Sequence, residues 1–503
     1  MRKSCLFGLL TLIITILPVN ASFQDSINFR DSLVIELSLE NVIDLAITQS
    51  SAVKYAQNRD VSTYWRRRNY LTRFRPQLAL EGELPRFENT NSPITQPDGS
   101  IEFKRITQFS SSANVSLSQS IAATNTYIYA ATSVYGINNM ITKVTEYSGS
   151  PFYIGFYQPV LSFNWAKWYK RTEPLYYEAA KKDYLETIEE IAHRATSYFF
   201  NYLRIQTNYN LAKSNLKNSQ DNLDIAEVRR GLGTISENDY SRIRLSVLNA
   251  QKSLRNADMD LKNADFLLKS YINLEQDSKI ELSLPLDITI FYIDPDKALK
   301  EAIENKNDMI NFQARLIAAD RDLEQAKREN SLNATLSGRY GLSNSSEMLG
   351  GIYKQPEQQQ YVRLGVSLPI LDWGRSDSQV KLAESNRDLV LYDVERDRKD
   401  FERGVVVQVE RFNLLKDQLE TAKEADKVAE NGYLIALKKF QNGEISITEL
   451  NIALSDRESA KRDYIRSIED YWETYRYIRI MTLYDFEFEQ KIFYGNPMLE
   501  NQN

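Results

Sequence analysis

Val366-Ser367-Leu368-Pro369-Ile370-Leu371-Asp372-Trp373-Gly374-Arg375 is the stretch on which the fold turns. Its first residues alternate in polarity as a half-exposed strand does, and Pro369 and Gly374 then stop the strand. About a hundred residues follow without a proline, and their one evident reversal is Lys439-Phe440-Gln441-Asn442-Gly443. A second copy of the plan lies upstream: Tyr157-Gln158-Pro159-Val160-Leu161, a long polar helical run, then Arg230-Gly231-Leu232-Gly233.

The helical runs carry a narrow apolar seam. In the first, Tyr184, Ile188, Ile191, Ala195, Tyr198 and Tyr202 begin a series at alternating spacings of four and three that continues to Leu216. In the second, the series runs from Phe401 to Phe440, with Gln408 and Asp426 interrupting it. This is heptad spacing, and mostly charged or amide residues lie between. Sixty such residues predict rods of roughly 90–100 Å at 1.5 Å per residue. A solitary globular domain has no use for helices so long and so polar.

Upstream of each rod the sequence reads as strands. Gln77-Leu78-Ala79-Leu80-Glu81-Gly82-Glu83-Leu84 alternates with period two, and residues 101–159 are rich in Ser, Thr, Tyr, Ile and Val. Asn89 to Gly99 reads as a loop, Asn41 to Arg75 as one helix, and Ile288-Thr289-Ile290-Phe291-Tyr292 as a strand in a linker. Two offsets align the halves: 210 residues pairs Pro159 with Pro369 and Gly233 with Gly443, and 256 pairs Ala46 with Ala302 and Gly82 with Gly338. The difference of 46 residues puts one insertion between Gly82 and Pro159. The expected organisation is a leader over 1–21, a first repeat over 22–275, a linker over 276–295, a second repeat over 296–482 and a tail over 483–503. Strands are expected over about 77–161 and 332–371. Helices are expected over about 165–230, 236–275, 296–330, 375–441 and 446–480.

Composition narrows the chemistry. Arg2 and Lys3 precede an apolar run from Cys5 to Val19, and Val19-Asn20-Ala21 suits a signal peptidase. Loss of that leader removes the single cysteine and takes the net charge from −6 to −8, a balance that argues against nucleic acid. With His193 the sole histidine and placed on a helix surface, triads and zinc sites are nearly excluded, and an enzyme is not expected. No cofactor or metal is expected. No later stretch is apolar enough for a membrane helix, but alternating barrel strands escape such scans.

With Leu37-Ser38-Leu39-Glu40 before the first helix, Val366 to Arg375, and the glycine turns at Gly233 and Gly443, the chain resembles the TolC-like outer-membrane efflux protein family. The resemblance implies a mainly α fold with membrane β, internally duplicated. Its long coiled-coil hairpins form an α-barrel, and a homotrimer with four strands per chain closes a transmembrane β-barrel. The 46 additional residues would lengthen outer loops, add a hairpin or enlarge the barrel. It further implies an outer-membrane exit duct of a tripartite efflux or type I secretion system. Such a duct works with a periplasmic adaptor and an inner-membrane pump in a Gram-negative cell. The alternative is a periplasmic or surface coiled-coil structural protein or adhesin, which would not need the strands.

The same resemblance assigns the helix tips, Gly231, Gly233, Thr234 and Ile235 with Gly443, Glu444 and Ile445, to closure and adaptor docking. It assigns Asp239 and Glu449 to a negative ring at the constriction. The residues themselves allow a plainer reading, since Ser236-x-x-Asp239 and Ser446-x-x-Glu449 are capping-box patterns. Tyr157, Trp165, Trp168 and Trp373, at the strand-to-helix junctions, suit either an interfacial aromatic girdle contacting outer-membrane lipid or ordinary corner packing.

Overall fold

Ser38 is the first residue to commit the chain to helix. Its hydroxyl accepts from the Asn41 N–H at 3.2 Å while Asn41 Oδ1 accepts from the Ser38 N–H at 3.1 Å, satisfying two otherwise unpaired amides. The computed structural model describes residues 34–285 and 288–500; the expected leader lies outside the described residues. A short strand β1 (Val34–Leu37) leads into α1 (Leu39–Gln49) and α2 (Ser51–Arg73). The single helix expected from Asn41 to Arg75 is thus two. Ser50 is extended (φ −62°, ψ 156°), and its hydroxyl accepts from the Val53 N–H at 3.1 Å, so the serine ends one helix and caps the next.

Four strands follow: β2 (Gln77–Thr95), β3 (Ile101–Ile121), β4 (Thr126–Asn139) and β5 (Val144–Pro159). The loop expected over 89–99 is largely strand, because β2 continues to Thr95 and Pro93 pairs opposite Phe103. A proline is tolerated there because β2 is an edge strand, where one row of N–H groups has no ladder partner to lose.

The chain then builds α3 (Trp165–Gly231), α4 (Glu237–Ile272), β6 (Lys279–Leu282), α5 (Pro295–Asn305) and α6 (Asp308–Glu329). Two more strands, β7 (Asn333–Ser346) and β8 (Glu357–Ser367), precede α7 (Arg375–Asn442) and α8 (Ile447–Thr482). The main sheet has the order β2-β3-β4-β5-β7-β8, antiparallel throughout, while β6 pairs in parallel with β1. The strand expected over 288–292 is no ladder member. Its backbone partners are side chains instead: the Thr289 carbonyl accepts from Tyr471 Oη at 2.8 Å, and Asn413 bonds both the N–H and the C=O of Ile293.

The opening stretch resolves into three pieces. β8 ends at Ser367, residues 368–372 are irregular, and Asp372 then gathers the helix start. Its carboxylate accepts from the N–H groups of Gly374 (3.1 Å) and Ser376 (2.9 Å). Hydrogen bonds from Ser376 hold that carboxyl below its ordinary range. Trp373 and Gly374 both sit at positive φ (56° and 82°), costly for tryptophan and free for glycine.

The heptad seam is buried where two helices meet. Ile188, Ala195, Tyr202, Val405, Phe412 and Leu415 are all inaccessible, in one core shared with α1, α5 and α8. Asp426, an interruption of the seam, faces Lys461 Nζ at 3.1 Å across the α7–α8 contact. Gln408, the other interruption, is half-buried. At 67 and 68 residues, α3 and α7 are rods of ~100 Å. Their 36-residue returns α4 and α8 cover about half that length.

The tail expected from 483 onward is structured. Tyr484–Asp485 and Gln490–Lys491 form a small hairpin, and Asn496 Nδ2 donates to the Gln57 carbonyl and Asp60 on α2. Beneath it lies an ion cluster. Arg479 on α8 bonds both oxygens of Glu189 on α3 at 2.9 and 2.8 Å and also Asp485, while Tyr494 Oη reaches Glu189 at 2.6 Å. Burial alone would raise the Glu189 carboxyl, but the Arg479 hydrogen bonds and charge outweigh it and hold the group low. His193 lies half-buried on the same helix near Tyr477, and burial pushes its pKa down.

Candidate functional site at the sheet wall and the helix tips

The register of the six strands sorts side chains onto two chemically different faces. Residues opposite one another in adjacent strands share a face. Leu80 lies opposite Val115, Val115 opposite Thr132, Ala130 opposite Ile154, Ile154 opposite Tyr340, and Leu336 opposite Leu364. Every strand puts apolar residues on this face, with Thr132, Gln158 and Gln360 among them, and it is open: Leu80 is 75%, Leu84 81% and Val362 77% exposed. The opposite face carries Glu81, Asn114, Ser133, Arg339 and Arg363 with a band of tyrosines. There the Arg339 guanidinium lies 3.8 Å over the Tyr153 ring, and Tyr153 Oη donates to Asn114 at 3.1 Å. A Cβ on Gly155 would collide with the Tyr129 hydroxyl, so glycine there leaves room for that ring.

The junction aromatics divide. Trp165 stacks on Tyr169 and meets Phe163 edge-on, and stays 41% exposed; Trp373 is 90% exposed. Trp168 is instead buried inside the chain beneath Arg171, and Tyr157, opposite Ser337, belongs to the polar face. Neither can face outward with the apolar band.

At the far end of the rods both reversals put a glycine in the left-handed region, Gly233 at φ 69° just after the Leu232 C-cap of α3, and Gly443, the C-cap of α7, at φ 83°. The Thr234 N–H reaches back to the Arg229 carbonyl and the Glu444 N–H to that of Lys439, each at 2.9 Å. Arg229 ties the tips together by donating to the Gln441 carbonyl at 2.9 Å. Gly231, Gly233, Thr234, Gly443 and Glu444 are exposed. Ile235 and Ile445 are turned in, packed on a second core of Ala226, Ile243, Tyr433, Phe440, Ile447 and Leu450.

Ser236 and Ser446 are the helix caps, and only one of the two acids completes a capping box. Ser446 and Glu449 form a complete capping box, the Ser446 N–H donating to Glu449 Oε2 at 2.7 Å. The backbone and hydroxyl bonds from Ser446 hold the Glu449 carboxyl below its usual range. Ser236 caps α4 by accepting from the Asp239 N–H at 3.1 Å and donates its hydroxyl to the Asp239 carboxylate at 2.7 Å. Arg230, bonded to Glu237 at 2.7 Å and stacked on Tyr240, adds a tip contact that its place beside a glycine pair did not single out.

Among the described residues no cluster of three His, Cys, Asp or Glu could hold a metal ion, and no helix is long and apolar enough to cross a membrane.

Residues 298–474 match the family model described as outer membrane efflux protein. The chain is 21% identical over 238 residues to the toxin and drug export protein A of Aggregatibacter actinomycetemcomitans, covering 46% of this chain. The match spans about half (48%) of the length of that curated relative. Among solved structures, the fold resembles the CmeC outer membrane channel of Campylobacter jejuni (TM-score 0.65, 14% identity, 92% of this chain and 88% of that one). It also resembles a membrane protein from Pseudomonas aeruginosa (TM-score 0.64, 13% identity, 90% and 91%). A third is VceC of Vibrio cholerae (TM-score 0.60, 13% identity, 88% and 95%).

Proposed function

We propose that this chain, a member of the outer membrane efflux protein family, is a passive exit duct of a tripartite efflux or type I secretion system. The observation that carries the reading is the six-stranded sheet, mainly apolar on one face and polar on the other, set at one end of ~100 Å rods. An exposed apolar band that spans every strand suits lipid, and the polar face suits a water-filled lumen. β8 has 11 residues, the length a tilted strand needs to cross a bilayer. Backbone groups at a free sheet edge in lipid must be paired, so the sheet closes with further copies of itself, here a homotrimer. The location is the outer membrane of a Gram-negative cell, with the rods in the periplasm.

An internal duplication accounts for the architecture. The lengths of α1 and α5 (11 and 11), α2 and α6 (23 and 22), α3 and α7 (67 and 68) and α4 and α8 (36 and 36) agree. Two hydrogen bonds agree as well: Gln49 Nε2 donates to the Ile272 carbonyl, and Asn305 Nδ2 to that of Thr482. Asn305 lies 256 residues beyond Gln49 and Thr482 lies 210 beyond Ile272, the two offsets that align the halves. β3 and β4 are then the inserted hairpin.

The exposed tip residues Gly231, Gly233, Thr234, Gly443 and Glu444 are the surface offered to a periplasmic adaptor, which joins the duct to an inner-membrane pump. Asp239 and Glu449 contribute a ring of carboxylates near the mouth, Glu449 while also completing its helix's capping box. The duct makes and breaks no bond; its work is conduction.

The test is fractionation and electrophysiology. Heat-resistant trimers in the outer-membrane fraction that conduct in planar bilayers support the duct. A monomer released by osmotic shock, without conductance, overturns it in favour of a periplasmic spacer.

A further inference from the structure

The sheet has two unpaired edges, β2 and β8, and several features make them complementary to each other. The first is length. β8 spans 11 residues, and the part of β2 level with the body of the sheet, Gln77 to Glu88, spans 12, since Gln108, opposite Glu88, is the last β3 residue paired to β4. The second is direction, because β2 leaves the helical end and β8 returns to it. The third is face. With Gln77 of one copy opposite Ser367 of the next, Leu78 meets Val366, Leu80 meets Leu364 and Gly82 meets Val362, all on the apolar side.

The fourth is charge. The same register brings Glu81 opposite Arg363 on the polar face. Neither residue has an ion-pair partner within the described chain, and both are exposed. The fifth is closure geometry. One row of paired residues runs Gln77, Ser118, Tyr129, Gly155, Arg339, Tyr361, leaving β8 six residues short of Ser367. Pairing Gln77 with Ser367 therefore advances the register by six residues for every six strands. At ~3.3 Å per residue and ~4.8 Å between strands, that step tilts the strands by about 35°, within the range closed barrels adopt.

We propose that copies of this chain join edge to edge in this one register, β2 of each against β8 of the next, with Glu81 and Arg363 forming an ion pair across every seam. The inference rests on the trimeric duct proposed above. Three sheets of six then give an eighteen-stranded barrel. Its backbone diameter is about 34 Å, against about 22 Å for twelve strands at the same tilt, because diameter grows roughly linearly with strand number. Such a lumen is half as wide again as that of a barrel built from four strands per chain.

Cysteine cross-linking in the intact outer-membrane protein tests the register, since the sequence holds one cysteine, Cys5, inside the expected leader. Directly opposed side chains have Cβ atoms ~4.5–5.5 Å apart and diagonal ones ~7–8 Å, and a disulfide needs ~3.5–4.5 Å. Leu80→Cys combined with Leu364→Cys, oxidised with copper phenanthroline, is expected to yield covalent trimers. Leu80→Cys with Val362→Cys, or with Val366→Cys, is expected to yield few. Preferential cross-linking of either slipped pair within a stable trimer overturns the seam and leaves the duct intact. A chain that is monomeric and non-conducting overturns both. Glu81→Arg and Arg363→Glu should each lower the temperature at which trimers dissociate in detergent, and the double reversal should restore it. A double reversal as weak as the two losses combined removes the ion pair from the seam.

Discussion

The sheet and the rods solve the problem of burial in opposite ways. The helical part is its own interior: Phe199, Phe200, Tyr471 and Tyr475 are at most 1% exposed, and Arg479 is neutralised inside the chain by Glu189 and Asp485. The sheet is one layer thick, its large apolar residues remain open, and none of its long strands contributes to the principal core. One region is stabilised by what the chain folds against; in the duct proposed above, the other is stabilised by lipid and sister copies. Damage to the first should therefore appear in any solvent, and damage to the second only in a membrane.

The largest expected effect tests the first half of that contrast. Arg479→Leu strands two carboxylates without their cation and should cost about 3–5 kcal/mol, read as a lower urea midpoint of helical circular dichroism in detergent. The pH dependence carries a sign. In the parent both carboxyls are held below their ordinary values, so the stability they add is complete above about pH 5 and drains as pH falls through those depressed values. In the variant Glu189 keeps Arg476 and Tyr494 but loses its main partner, so its carboxyl should rise and acid should narrow the gap between the two proteins. A gap that widens in acid would contradict this account of the cluster.

Next in size is Leu364→Arg, on the apolar face of β8. Placed in hydrocarbon it should cost about 2–4 kcal/mol and reduce trimer yield in lipid vesicles. The helical urea midpoint should stay at the parental value; a matching fall would mean that sheet and rods are not separately supported. Ser337→Arg, on the polar face, should insert normally.

Smaller effects belong to the tips. Gly443→Ala forces a side chain into φ 83° beside Arg229 and should cost about 1–2 kcal/mol, seen as faster amide exchange confined to residues near the reversal. Ser446→Ala removes one cap and should cost about 1 kcal/mol, with exchange rising only in the first turn of α8. Unchanged protection in both variants would mean that the tip is held by contacts outside the turn.

The two regions also differ in how far the sequence disclosed them. The rods were legible because a heptad repeats many times and a glycine marks each end: the helix expected from about residue 165 to 230 runs Trp165–Gly231. The sheet was legible in kind and illegible in number. Alternation places Leu78, Leu80 and Leu84 on one side, but four strands between Gln77 and Pro159 emerge only from pairing partners remote in sequence. Pro93 and its asparagine neighbours carry every local mark of a loop, and an edge position overrides them. At the site, Glu449 completes the capping box that its spacing allows, while Asp239 does not, its carboxylate taking the Ser236 hydroxyl and not the backbone N–H. Trp168 and Tyr157 could not be sorted from Trp165 and Trp373, because composition at a junction does not say which way a ring points.

The hydrogen bonds from Gln49 to Ile272 and from Asn305 to Thr482 mark a level where four helices stop and two do not. α1 and α4 meet there, as do α5 and α8, while α3 and α7 pass through unbroken. Mechanically, two shafts run the length of the machine and the columns beside them are jointed at mid-height. The chain is thus continuous along α3 and α7 and interrupted beside them, between α1 and α2 and between α5 and α6.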